Sequence, residues 1–126
     1  GVISAYEAEV IRLVNEIRRQ NGLGELTASA ELSHVARLKS QDMHDKGYFD
    51  HTSPTYGSAF DMLRSFGISY RTAGENIAYG YSAPQAVVDA WMNSSGHRAN
   101  ILNASYTQIG VGHVQDGNYC TQIFVG

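Results

Sequence analysis

The chain of 126 residues is 43% hydrophobic and 17% charged, a balance that fits one folded domain spanning 1–126 and excludes a disordered segment. Nine Lys and Arg against twelve Asp and Glu give a formal charge of -3 and no basic stripe, so nucleic-acid binding is excluded. No apolar run reaches the roughly 20 residues of a membrane span, and Cys120, the one cysteine, excludes an internal disulfide and a cysteine-based metal site.

Ser4-Ala5-Tyr6-Glu7 has the capping-box pattern, and Tyr6, Val10, Leu13, Val14 and Ile17 follow it as one apolar helical stripe. This helix is expected to end before Asn21-Gly22, where glycine suits a left-handed cap. After a short connection at Leu23 to Leu26, Thr27 or Ser29 caps a second helix that turns Leu32, Val35, Ala36 and Met43 inward and closes at Gly47. Tyr48 to Tyr56 reads as a loop. Ser58-Ala59-Phe60-Asp61 opens a short helix with Ala59, Met62, Leu63 and Phe66 on one side, stopped at Gly67. Ile68 to Ala73 reads as a strand leading into a turn at Gly74-Glu75-Asn76. Ser82-Ala83-Pro84-Gln85 starts another helix, burying Ala86, Val87, Ala90 and Trp91, and Ser94 or Ser95 caps one further helical turn. Ile109 to Val114 and Tyr119 to Val125 flank Asp116-Gly117, which suits a tight antiparallel hairpin. Gly110 and Gly112 bare one face of the first of these strands, where a helix or loop can approach closely. Helices early and strands late, without βαβ alternation, make the fold class α+β. The start at Gly1 and the end at Gly126 are expected of a mature or excised domain.

Of five histidines, His34 and His44 lie ten residues apart on one helix, about 80° from facing the same way, and read as surface or boundary residues. His51 sits between an aromatic anchor, Tyr48-Phe49, and Pro54; on the residues alone it reads as a loop-bracing histidine before it reads as a ligand. Glu75, in its turn, reads either as a buried carboxylate accepting backbone N–H bonds or as a functional acid. His97 opens a helical turn whose dipole favours the neutral imidazole, the form that ligates metals. Ser94, Ser95 and His97, with Asp89 or Glu75 as orienting acid, invite a serine-hydrolase reading. No Gly-x-Ser-x-Gly elbow supports it, and serines before a helical turn read first as caps. No HExxH motif supports a metallopeptidase. Trp91, Ile123 and Phe124 read as core. The tyrosines fall at loops and element ends, suiting a recognition surface or a half-buried boundary equally, and Tyr79-Gly80-Tyr81 is the cluster best placed for a partner or glycan.

Five segments stand in a telling order: Asn15-Glu16-Ile17-Arg18, His51-Thr52-Ser53-Pro54, Gly74-Glu75-Asn76-Ile77, Ser95-Gly96-His97-Arg98-Ala99-Asn100-Ile101-Leu102 and Tyr119-Cys120-Thr121-Gln122-Ile123-Phe124. From about Tyr6 to Phe124 the chain thereby resembles the CAP superfamily of cysteine-rich secretory proteins, antigen 5 and pathogenesis-related 1 proteins (the SCP domain), and its bacterial branch in particular. The resemblance implies a three-layer α-β-α sandwich with a mainly antiparallel central sheet. It also implies a central cleft holding His51, Glu75 and His97, with Asn15, Arg18, Asn76, Ser94, Tyr119 and Gln122 as cleft-supporting residues. His51 and His97, with Glu75, become candidate ligands for Zn²⁺ with an open position for water. Two departures stand out: Ser94 occupies the place of the second glutamate of eukaryotic members, and Tyr119 that of their terminal-strand histidine. The function expected from the resemblance is an extracellular or cell-envelope binding or scaffolding module, also at the spore surface. It would be a monomer taking an envelope protein, glycan or lipid partner. The alternatives are a zinc-dependent hydrolase of peptide or cell-wall substrates in the same cleft, and lipid or sterol binding.

Overall fold

The computed structural model describes residues 3–126. The apolar stripe of the first predicted helix becomes α1, Ala5–Gln20, and its capping box forms in full: the Ser4 hydroxyl accepts from Glu7 N–H while Glu7 returns a bond to Ser4 N–H. A second helix, α2, runs Ala30–Lys46 from the Ser29 cap to a left-handed Gly47. It is followed by α3, Ala59–Ser65, with Ser58 as cap. Thr27 does not cap α2; with Ala28 it forms β1, a two-residue strand too short to leave a sequence signal.

The predicted strand at Ile68 to Ala73 is misplaced. The strand is β2, Ala73–Ala78, so Gly74, Glu75 and Asn76 lie in extended backbone and not in a turn. What makes it a strand is tertiary: six residues of β2 pair with β4, Tyr119–Val125, in antiparallel register. The last helices are α4, Pro84–Met92, and α5, Ser95–Ile101. The cap of α4 falls on Ala83 without a side-chain bond, so the Ser82-x-x-Gln85 box does not form. Its buried face carries Val87, Val88 and Trp91, leaving Ala86 exposed. Phe66, expected inside, lies exposed at the end of α3, because the helix stops one residue before it. Between β3, Gln108–Val114, and β4 the turn takes four residues, since Val114 already pairs with Tyr119; a short 3-10 turn at Asp116–Asn118 replaces the tight dipeptide turn.

The sheet order is β1-β3-β4-β2, antiparallel apart from the parallel β1–β3 pair, with β2 at an edge. One face packs α1, α4 and α5 around Val10, Val14, Val88, Trp91, Ile101 and Phe124. The other packs α2 and α3 around Leu32, Val35, Ala36, Met62, Leu63 and Ile123. This is the α-β-α sandwich of an α+β fold, with the sheet as its middle layer. Among the described residues no helix is long and apolar enough to cross a membrane.

Candidate functional site

Alternation along β2 distributes the candidate residues over both faces of the sheet. Glu75 lies opposite Ile123, on the face covered by α2, and Asn76 lies opposite Gln122, on the face covered by α5. The predicted cluster therefore divides into two pairs beside one edge strand.

The first pair is His51 with Glu75: His51 Nδ1 stands 2.8 Å from Glu75 Oε1. The loop carrying His51 is held from α2. Asp42 accepts from Tyr48 Oη at 2.6 Å, Ser53 Oγ at 2.6 Å and Thr55 Oγ1 at 2.7 Å, while Lys39 Nζ donates to the Asp50 carbonyl at 2.7 Å. Burial pushes the Asp42 carboxyl up, but the hydroxyls of Ser53, Tyr48 and Thr55 and the charge of Lys39 outweigh it, so the group stays below the usual range. Burial pulls Lys39 down, against the attraction of Glu75, Asp42 and Asp50. Neither Lys39 nor Asp42 was singled out from sequence. The available signal was position: Lys39 falls on the buried side of α2 among Val35, Ala36 and Met43, where a charge requires partners.

The second pair is His97 with Ser94, Nδ1 to Oγ at 2.8 Å. Ser94 occupies the cap position of α5, yet its hydroxyl makes no capping bond and turns to the imidazole instead. Asn76 fixes this helix to the sheet: its Nδ2 donates to His97 O at 3.1 Å and Gln122 Oε1 at 3.0 Å, and its Oδ1 accepts from Asn100 at 2.9 Å. Asn15 and Arg18 act further out. Asn15 exchanges two bonds with the Leu26 backbone, and Arg18 donates to Gly24, Ile101 and Asn103 carbonyls. Tyr119 lies beside the site, stacked on Tyr79 with ring centroids 5.8 Å apart.

Two concavities follow from this arrangement. A cleft of about 420 Å³ is lined by Phe49, Ile77, Tyr79, Tyr81, Trp91 and His97. A smaller pocket of about 170 Å³ is lined by His51, Phe60, Gly74 and Glu75. Each histidine bonds through Nδ1, to Glu75 and to Ser94, and among the described residues no three His, Cys, Asp or Glu side chains converge on one point.

The imidazoles are tuned in opposite directions. The Glu75 hydrogen bond raises His51 above the usual value of 6.5, against burial. Burial, and then the charge of His51, lower His97. His51 is expected to titrate above His97 when the ring carbon-bound protons are followed by NMR across pH 4 to 9. His51, raised on folding, adds stability that is complete below about 6.5 and is lost as pH rises through its folded value. His97, depressed on folding, contributes above about 6.5, and that contribution is lost as pH falls through that value toward its folded one. His51→Ala should flatten the alkaline side of the stability profile and His97→Ala the acid side. Coincident or inverted titrations would contradict the pairing.

The profile of the cysteine-rich secretory protein family, CAP, matches residues 11–126. The Bacillus subtilis protein YkwD is 60% identical over 124 residues, 98% of this chain and 48% of its own length. The crystal structure of an extracellular protein containing an SCP domain from Bacillus anthracis superposes with a TM-score of 0.92 at 38% identity, over 95% of this chain and 40% of that one. An outer surface protein of Borrelia burgdorferi superposes with a TM-score of 0.85 at 21% identity, over 92% of this chain and 88% of that one, a likeness of fold. The chain thus spans about half the length of YkwD and less of the anthracis protein.

Proposed function

The chain belongs to the CAP (cysteine-rich secretory protein) family, and from that premise we propose that it is an extracytoplasmic module binding a component of the bacterial cell envelope through the cleft beside β2. The observation that carries this reading is the rim of the cleft. Phe49, Tyr79 and Tyr81 stand 46%, 55% and 37% exposed around it. Large apolar rings held out to water in one place mark interaction surfaces, and tyrosine, with an apolar ring and a polar end, is favoured there. Beneath the rim, Trp91 donates its indole N–H to Ile77 O and is packed in the core, so the floor is rigid and little ordering entropy is lost on binding. Among the described residues His97 bonds Ser94 and has no acidic partner, which favours recognition over turnover. The similar anthracis protein, described as extracellular, supports the location.

Co-sedimentation of the purified domain with Bacillus cell-envelope fractions tests the reading. Tyr79→Ala/Tyr81→Ala is expected to weaken binding at least tenfold, about 1.4 kcal/mol, with unfolding by urea unchanged within about 1 kcal/mol because both side chains are exposed. Equal sedimentation of wild type and double variant would take the rim out of the site.

A further inference from the structure

The outer edge of β2 carries a pattern that neither the histidine pairs nor the aromatic rim uses. Thr72 and Gly126 exchange both backbone bonds, N–H to carbonyl at 3.2 and 2.9 Å, so with a period of two, Gly74, Asn76 and Ala78 face β4 while Ala73, Glu75 and Ile77 face outward. Side chains confirm the alternation: Asn100 Nδ2 donates to Glu75 O at 3.3 Å and Trp91 Nε1 to Ile77 O at 3.2 Å. The outward carbonyls of Glu75 and Ile77 are thus occupied. The outward N–H groups of Glu75 and Ile77 have no acceptor among the described residues, although the two residues are only 7% and 5% exposed. Backbone donors in buried surroundings nearly always have a partner.

Resting on the binding role of this cleft, we infer that it takes an extended peptide laid along β2, whose carbonyls accept from Glu75 and Ile77 N–H and whose amine-bearing side chain enters the His51–Glu75 pocket. The two donors are one strand repeat apart, about 6.6 Å, and carbonyls at that repeat are what an extended peptide presents. A lipid chain has none. The concavities also fit. The smaller one borders Gly74 and Glu75 on the α3 side, and the larger borders Ile77 and Ala78 on the α4 side. Successive side chains of an extended chain point to opposite faces, so residues an odd number apart enter the two. Their chemistry differs. Among the described residues Glu75 Oε2 has no hydrogen-bond partner, and its side chain is 4% exposed, so a carboxyl oxygen seeking a donor borders the first pocket, complementary to an ammonium. Aromatic rings and Ile77 line the second, complementary to an apolar side chain. The strand edge is thereby read as in other β-additions, with main-chain bonds for affinity and alternate pockets for selectivity.

The test is an NMR titration of the ¹⁵N-labelled domain with acetyl-Ala-Lys-Ala-Ala-Phe-Ala-amide and with the reversed-order peptide, since a strand edge accepts either direction. One of them is expected to give saturable downfield shifts of the Glu75 and Ile77 amide protons, with Gly74 and Asn76 moving far less because their N–H groups already pair with β4. Norleucine in place of lysine should weaken binding about tenfold in wild type, and Glu75→Gln should erase most of that difference. Saturable shifts confined to Tyr79 and Tyr81 would overturn the strand-edge mode, and no saturation with either peptide at millimolar concentration would overturn the peptide class. If envelope sedimentation persists in either case, this inference alone falls; if sedimentation is lost too, the binding role of the cleft falls with it.

Discussion

Gly112→Ala is expected to leave little folded domain. A β-carbon at Gly112 would stand within 2.3 Å of Ala36 C and Arg37 Cα and in still closer overlap with Arg37 N. All three atoms are helix backbone, so no side-chain rotation relieves the overlap. Nor can α2 simply lift away, because two short bonds clamp it to the strand: Val111 N–H donates to Ser33 Oγ at 3.1 Å and Ser40 Oγ donates to Gly112 O at 2.8 Å. Overpacking alone costs about 1–3 kcal/mol, and breaking a buried bond of this kind adds about 1–3 kcal/mol. A total of about 4 kcal/mol is a large part of the roughly 5–15 kcal/mol that holds such a domain together. Urea unfolding of Gly112→Ala should show a loss of at least about 3 kcal/mol or no cooperative transition. Gly24→Ala, where an added carbon meets nothing within 4 Å, should stay within about 0.5 kcal/mol of wild type. A Gly112→Ala protein as stable as wild type would mean that α2 is free to move, and with it Lys39 and Asp42, which hold the His51 loop.

That close approach was legible in the sequence because Gly110 and Gly112 alternate along one strand face, a local pattern with one physical meaning. Capping was legible for the same reason: Ser4, Ser29, Gly47 and Ser58 terminate helices through bonds made within a turn of themselves. The edge strand was not. Gly74, Glu75 and Asn76 are poor strand formers taken singly, and they are extended because β4 pairs with them and Asn76 bonds Gln122 across the register. The hairpin turn escaped for a related reason, since strand pairing up to Val114 and Tyr119 sets the loop length and not the Asp-Gly dipeptide. The candidate residues could be named from the sequence, but the way they pair could not. His51 and Glu75 meet across 24 positions, and His97 turns to Ser94 three residues before it, a pairing that no spacing in the sequence announces.

Arg18→Met is expected to cost about 3 kcal/mol and to loosen the helix that carries His97 before the rest of the domain. Arg18 is 2% exposed and has no carboxylate partner among the described residues; its guanidinium donates to Gly24 O at 2.8 Å, Ile101 O at 2.8 Å and Asn103 O at 3.0 Å. Ile101 O is one of the last-turn carbonyls of α5, which a helix cannot satisfy by itself. The fork of donors therefore closes the end of α5 and ties it to the segment after α1, where Asn15 holds Leu26. Methionine keeps most of the volume and removes a buried charge, which is a gain, but it strands carbonyls at about 1–3 kcal/mol each, and with three of them the loss wins. Arg18→Lys should fall between, because an ammonium cannot span carbonyls on two segments as a planar guanidinium does. Hydrogen exchange gives the sharper readout. Amides of Ser95–Ile101 should lose protection at lower urea than those of β3 and β4, since α5 also depends on Asn76 bonding His97 O and Asn100 bonding Glu75 O. Uniform loss of protection across the sheet would make Arg18 a global staple. Selective loss in α5 would make it the residue through which the first helix sets the wall of the cleft.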